Sequence, residues 1–188
     1  MKLNDFHHYK GSELTPSEMV ERKVIEILCT TKLSDGKRDS SITFELKHSS
    51  GCCQIARILA QMRNLDADIA TAASVLHDIY VIVEGKYKDH AKLGASIARK
   101  ILIEIGGFSD EEMDNITQAV AHHSEKEIYS ENPYIELVKD VDVFDCSLYK
   151  NSEGYYRLHK PEKIMREYIK RIKKVREELN LPPEPIFR

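Results

Sequence analysis

The stretch of this 188-residue chain with the most evident chemistry is Val75-Leu76-His77-Asp78-Ile79, an adjacent histidine–aspartate pair at the end of an apolar helical run. Two metal-binding side chains in such a place are hard to explain as packing, since apolar helix faces bury few charged groups. Imidazole nitrogen and carboxylate oxygen are ligands for zinc, iron and manganese, and a carboxylate can also offset cation charge or bridge two ions. Candidate partners lie on both sides of the pair: His48 before it, then His90, His122, His123 and Asp142 after it. Ligands scattered in this way need several helices, each placing a residue at the inward edge of an apolar stripe. That pattern is present: His77 and Asp78 follow Leu76, His122 follows Val120-Ala121, and Asp142 follows Val141.

The residues leave some choices open. His7, His8 and His159 stand in polar contexts and read as surface histidines. Asp140 and Asp145 compete with Asp142, and spacing alone does not choose among the three. His122 and His123 are neighbours, so on a helix their side chains diverge by about 100°. At most one points along a given axis, unless the helix is ending there.

The elements that must position these residues are helices. Thr15-Pro16-Ser17-Glu18 combines a cap, a proline at the first turn and a capping-box glutamate, and Met19, Val20, Val24, Ile27 and Leu28 follow at helical spacing. Ser34-Asp35-Gly36 ends that helix. Ile42 to Leu46 alternates like a strand but runs into Cys52, Ile55, Ala56, Leu59 and Met62, which favours helix over 42–63 with Gly51 as a place for a kink. A helix rich in small residues runs from Ile69 to Ile79 and is expected to be central, because small side chains let neighbours approach. Gly85 interrupts the pattern. Further helices follow from Ala91 to Ile105, from the Ser109–Glu112 capping box to His122-His123, and from Asn132-Pro133 through Phe144. After a loop at Gly154, Pro161 opens a last helix that Leu181-Pro182-Pro183 stops.

About seven helices and no clear strand predict a single all-α domain over residues 1–188. It comprises a polar N-terminal arm (1–14), a metal-binding core (45–146) and a C-terminal helix (161–180). A net charge of -3 supplies no basic field to recruit nucleic acid. The four cysteines form no Cys-x-x-Cys pair, so a zinc ribbon is not indicated, and they read as reduced, mostly buried thiols. The first ten residues lack a signal-peptide core, and no apolar run nears the ~20 residues of a membrane span. The expectation is a soluble cytoplasmic protein, and a homodimer stays open.

His48, the His77-Asp78 pair and Asp142 resemble the H…HD…D signature of the HD domain superfamily of metal-dependent phosphohydrolases. His48-Ser49 followed by Ala56 and Ala60 is similar to that family's first ligand helix. Leu76-His77-Asp78-Ile79 is similar to its L-H-D-I/L core, and Val141-Asp142-Val143-Phe144-Asp145 to its A-D-x-L-D ending. The resemblance covers roughly residues 45–146. His90-Ala91-Lys92-Leu93-Gly94-Ala95 and Ala119-Val120-Ala121-His122-His123 are similar to segments of the binuclear branches. No Gly-Tyr-Pro follows the His-His pair, which sets the chain apart from the cyclic-dinucleotide branch. Tyr80-Val81-Ile82 stands where many members carry Gly-Lys, which leaves a phosphate-binding lysine unplaced.

The resemblance implies two divalent ions. Iron or manganese come first, and zinc, nickel, cobalt or magnesium are compatible. His48, His77, Asp78 and Asp142 would hold one ion, and Asp78 would bridge to a second held by His90 and His122, with His123 an extra ligand or substrate contact. The implied activity is hydrolysis of a phosphate ester or anhydride of a nucleotide or similar small phosphorylated compound, with His77 and Asp78 as the catalytic pair. Lys86 and Lys88, just before His90, are candidates to bind phosphate, their alternative being solvated loop lysines. Asp145 could orient a ligand histidine or serve as a cap or ion-pair partner. The basic final helix, with Glu162–Arg166 and Glu167–Arg171 at favourable spacing, reads as a solvated face. A nonenzymatic nucleotide-binding module and a di-iron oxygen-activating enzyme are the rival readings of the same ligands.

Overall fold

The structure, a computed structural model, describes residues 14–188. The expected N-terminal arm, with His7 and His8, therefore lies almost wholly outside the described residues. Within them the fold is all-α and contains no strand: α1 (Pro16–Thr30), a short 3-10 turn (Asp35–Lys37), α2 (Ile42–Met62), α3 (Ala67–Leu76), α4 (Ile79–Glu84), α5 (His90–Ile105), α6 (Asp110–His122), α7 (Pro133–Ser147), α8 (Ser152–His159) and α9 (Glu162–Glu178).

Local chemistry accounts for most helix starts. Thr15 and Ser109 each accept a hydrogen bond from the glutamate amide three residues on, and that glutamate's side chain accepts from the cap amide in return. Ser41 caps α2 by accepting from the Phe44 amide, which turns the alternating 42–46 stretch into helix. Asp66 accepts from two amides at the head of α3, and Asn132 with Pro133 opens α7.

The centre of the molecule is α3. From Ile69 to Leu76 every residue is buried, against α1, α2, α6 and α7. Ala70, Ala72 and Ala73 leave room for those neighbours, and fully buried Leu76 fills the core beside His77. Truncating such a leucine costs about 2–5 kcal/mol.

Four expectations need correction. The helix expected to run through Ile79 stops at Leu76 and restarts at Ile79, because Asp78 leaves helical geometry (φ -101°, ψ 22°). The resulting α4 ends at Gly85, whose φ of 70° suits glycine. Gly154 lies inside α8 rather than in a loop. Nothing crowds it, and a glycine in a helix costs only about 1 kcal/mol. In α2 the helix is continuous through Gly51, and the glycine serves close approach instead: a Cβ there would collide with the Asp145 carboxylate. On α9, Arg171 is buried and pairs with Asp140 and Glu136, so the Glu167–Arg171 surface pair does not form. With α4 and α8 as separate segments, the described residues hold nine helices where about seven were expected. Of the cysteines, Cys52, Cys53 and Cys146 are buried and Cys29 is exposed, all as free thiols.

Candidate metal centre

Five helical segments deliver one cluster. His48 comes from α2, His77 and Asp78 from the α3–α4 break, His90 from the first residue of α5, His123 from just past α6, and Asp142 from α7. The break explains how neighbours converge. On a continuous helix His77 and Asp78 would point about 100° apart, whereas here His77 Nε2 lies 3.3 Å from Asp78 Oδ2.

The donor atoms form two nests that share one carboxylate. In the first, His48 Nε2 is 3.1 Å from His77 Nε2 and 3.4 Å from Asp142 Oδ1, with Asp78 Oδ2 completing the ring. In the second, His90 Nε2 and His123 Nε2 are 3.0 Å apart and lie 3.2 and 3.4 Å from Asp78 Oδ1. Ligands about 2.1 Å from a common divalent ion stand about 3.0–3.4 Å from one another at octahedral or tetrahedral angles. Adjacent donors have that spacing, and the two diagonals of the first nest are 3.9 and 4.0 Å, near the roughly 4.2 Å across an octahedron.

Each imidazole is oriented from behind. The Nδ1 of His77 donates to the Ser74 carbonyl (2.6 Å), that of His90 to the Tyr87 carbonyl (2.7 Å) and that of His123 to the Val120 carbonyl (2.8 Å), while that of His48 meets Asp145 Oδ2 (2.6 Å). A carbonyl only accepts, so these Nδ1 atoms carry the hydrogen and Nε2 is free to ligate. Opposed Nε2 lone pairs at 3.0–3.1 Å repel unless a proton or a cation sits between them. Asp78 Oδ1, moreover, is buried without a hydrogen-bond partner. The donor set therefore fits divalent metal, and Asp78 turns one oxygen toward His77 and the other toward His90 and His123.

The electrostatics agree. Burial alone would push Asp78 up, but His77, His123 and His90 hold its carboxyl well below the usual range. Burial also opposes ionisation of Asp142, and Lys126 and His48 overcome it. Burial pushes His123 down to about 4, whereas at His90 contact with Asp78 outweighs burial and raises the pKa. Cys52 and Cys146 flank His48, and burial pushes both thiols up, so they pack as neutral groups.

The structure does not bring every expected residue here. His123, rather than His122, faces His90 and Asp78. His122 turns outward to Glu125 (2.9 Å) with 41% of its side chain exposed, because His123 keeps helical φ and ψ (-59°, -32°) and neighbours on such a backbone diverge by about 100°. Lys86 and Lys88 are exposed and do not line the adjoining cavity of about 650 Å3, and Lys86 instead pairs with Asp39. Asp140 is a structural charge, paired with Arg63, Arg171 and Lys174. Two residues gain weight. Asp145 orients His48, and Lys126, 1% exposed, lines the cavity with its ammonium paired to Asp142 Oδ2. Nothing in the sequence distinguishes Lys126 except its place three residues beyond His123, in the turn that closes α6. His159, exposed as its context indicates, also lines the cavity.

Fold and site define a helical domain built around a histidine–aspartate centre for divalent metal. The sequence matches the HD domain over residues 46–184, and the chain belongs to the HD domain family, a family of metal-dependent phosphohydrolases. It is also similar to ribonuclease Y of Rhodopirellula baltica (32% identical over 103 residues, 54% of this chain and 18% of that protein). The ribonuclease Y of Mycoplasmoides gallisepticum is 32% identical over 119 residues, 58% of this chain and 20% of that protein. That of Thermus thermophilus is 30% identical over 103 residues, 54% of this chain and 16% of that protein. The chain thus spans at most a fifth of the length of these relatives. No solved structure matches it significantly. Among the described residues no helix is long and apolar enough to cross a membrane.

Proposed function

We propose that this chain hydrolyses a phosphate ester or anhydride of a nucleotide or similar small phosphorylated compound at a two-ion centre. The observation that carries the reading is the pair of donor nests joined by Asp78, whose two oxygens face different histidine sets. Similarity to ribonuclease Y proteins supports phosphodiester chemistry for the same centre. Divalent ions bound there, iron or manganese foremost, would activate a water and neutralise phosphate oxygens.

The chain's own residues do the rest. Asp78 is held ionised and aimed into both nests, so it orients whatever lies between them. His48, His77, His90 and His123 are locked through Nδ1 and need no reorganisation, which is how a site stabilises charge that builds during reaction. Lys126 places a buried ammonium on the cavity side of Asp142, where it can meet a phosphate oxygen. It supplies from the turn after α6 the cation that Lys86 and Lys88 do not.

The experiment is hydrolysis of bis(4-nitrophenyl) phosphate and a nucleotide panel by manganese- and iron-loaded protein. The expected result is turnover that Asp78→Ala reduces by roughly a thousandfold while the variant stays folded. A metal-loaded protein inert toward the whole panel contradicts the reading.

A further inference from the structure

The cavity has two chemically different walls. One carries the metal-facing residues and Lys126. The other is built by the chain from Tyr149 to Lys160, a segment that hydrolysis itself does not require. Part of that wall is ordinary packing: Tyr156 is half-buried, its ring 5.1 Å from that of Tyr168. Tyr155 is different. It keeps 55% of its surface exposed, and its ring lies parallel to that of His159 (4.3 Å between centroids, 27° between planes). The two rings sit on α8, a helix with no buried residue, so no core demands them. His159 Nδ1 donates to the Tyr155 carbonyl (2.7 Å), which fixes the ring and leaves Nε2 as an acceptor. Lys150 and Lys160 line the cavity at the two ends of this helix.

We infer that the Tyr155–His159 pair is a nucleobase subsite. A base stacks on the preformed aromatic surface, and its phosphate points across the cavity toward Lys126 and the histidine–aspartate centre, with Lys150 and Lys160 countering the remaining negative charge. Stacking suits this surface because every base offers a π face and the platform is already ordered. The cavity, about 650 Å3, is of the size that takes a small ligand of this kind. A bare sugar phosphate would leave the platform unused. The phosphate end of this inference rests on the hydrolase reading of the centre, whereas the stacking end rests on α8 alone.

Calorimetric titration of the full chain, loaded with manganese, separates the two. The probes are AMP, ribose 5-phosphate, inorganic phosphate and adenosine. AMP is expected to bind about tenfold more tightly than ribose 5-phosphate. Tyr155→Ala removes that advantage without weakening ribose 5-phosphate, and Tyr155→Phe keeps it. Because Tyr155 is exposed, these variants are expected to fold as the parent does. Equal binding of AMP and ribose 5-phosphate to the parent overturns the subsite, as does an advantage that survives Tyr155→Ala. If ribose 5-phosphate and inorganic phosphate fail while AMP and adenosine bind alike and in a Tyr155-dependent way, the hydrolase reading falls and the base subsite stands. If neither AMP nor adenosine binds, the subsite is overturned.

Discussion

Asp140 and Asp142 stand two residues apart on α7, both with little or no exposure, yet they do opposite things. Asp140 has its two oxygens matched to cations: Arg171 at 2.7 Å on one, Arg63 at 2.8 Å and Lys174 at 2.6 Å on the other. It ties α2, α7 and α9 together. Asp142 has one oxygen on Lys126 and turns the other toward His48 Nε2, 3.4 Å away across the first nest. A buried carboxylate whose oxygens are all answered by cations belongs to the scaffold. One that faces imidazole lone pairs belongs to a site. Arg171 links the two, because its guanidinium also donates to the Lys126 carbonyl (2.9 Å), so the scaffold holds the turn that carries the cavity's lysine.

Exchanging the two roles is the strongest way to break this contrast. Asp142→Asn should cost hydrolysis about a thousandfold and lower metal content, with a loss of stability in the metal-free protein confined to the one buried cation it leaves, Lys126. Asp140→Ala should do the reverse, losing about 3 kcal/mol of stability, at the low end for a broken buried pair because Arg171 keeps Glu136 and Arg63 keeps Glu178, with activity per folded molecule retained. Denaturant unfolding beside an activity assay reads both, and equal losses in both assays for both variants would erase the distinction.

A smaller effect should come from behind the ligands. Asp145→Ala frees the His48 ring, and metal affinity is expected to fall by about 10–100-fold in a competition titration. An unchanged affinity would return Asp145 to a purely structural role. Smaller still is His122→Ala, which should leave metal stoichiometry and affinity within about twofold, because its imidazole points to Glu125 and solvent.

The gentlest test is pH. In the metal-free centre His90 holds its proton above the ordinary imidazole value, so a proton competes with the cation through neutrality. Apparent metal affinity should therefore rise with pH across this range, with protons released on binding. A flat profile between pH 6 and 8 would contradict it.

Much of this was legible in the sequence. Capping boxes at Thr15 and Ser109 and apolar spacing in α2, α3, α5 and α7 placed the helices, and the spread of His48, His77-Asp78, His90 and Asp142 matched the family pattern. What stayed hidden depends on where helices stop and which way turns point. The choice of His123 over His122 is decided by which of two neighbours about 100° apart faces α5, and spacing alone does not resolve that. The helical break at Asp78 lies inside a run of good core residues. α8 carries Gly154 and has no fully buried residue, so it has little apolar stripe to read. Arg171 and Lys126 sit among other charges, and only tertiary packing turns them inward.

Asp78 is proposed to be shared between two ions. Elemental analysis of manganese-loaded protein, paired with its paramagnetic resonance spectrum, tests it most directly. The expected result is two ions per chain with a coupled-pair signal in the parent, and one ion with an isolated-ion signal in His123→Ala. One ion per chain in the parent, or a His123→Ala variant that still holds two, would contradict it.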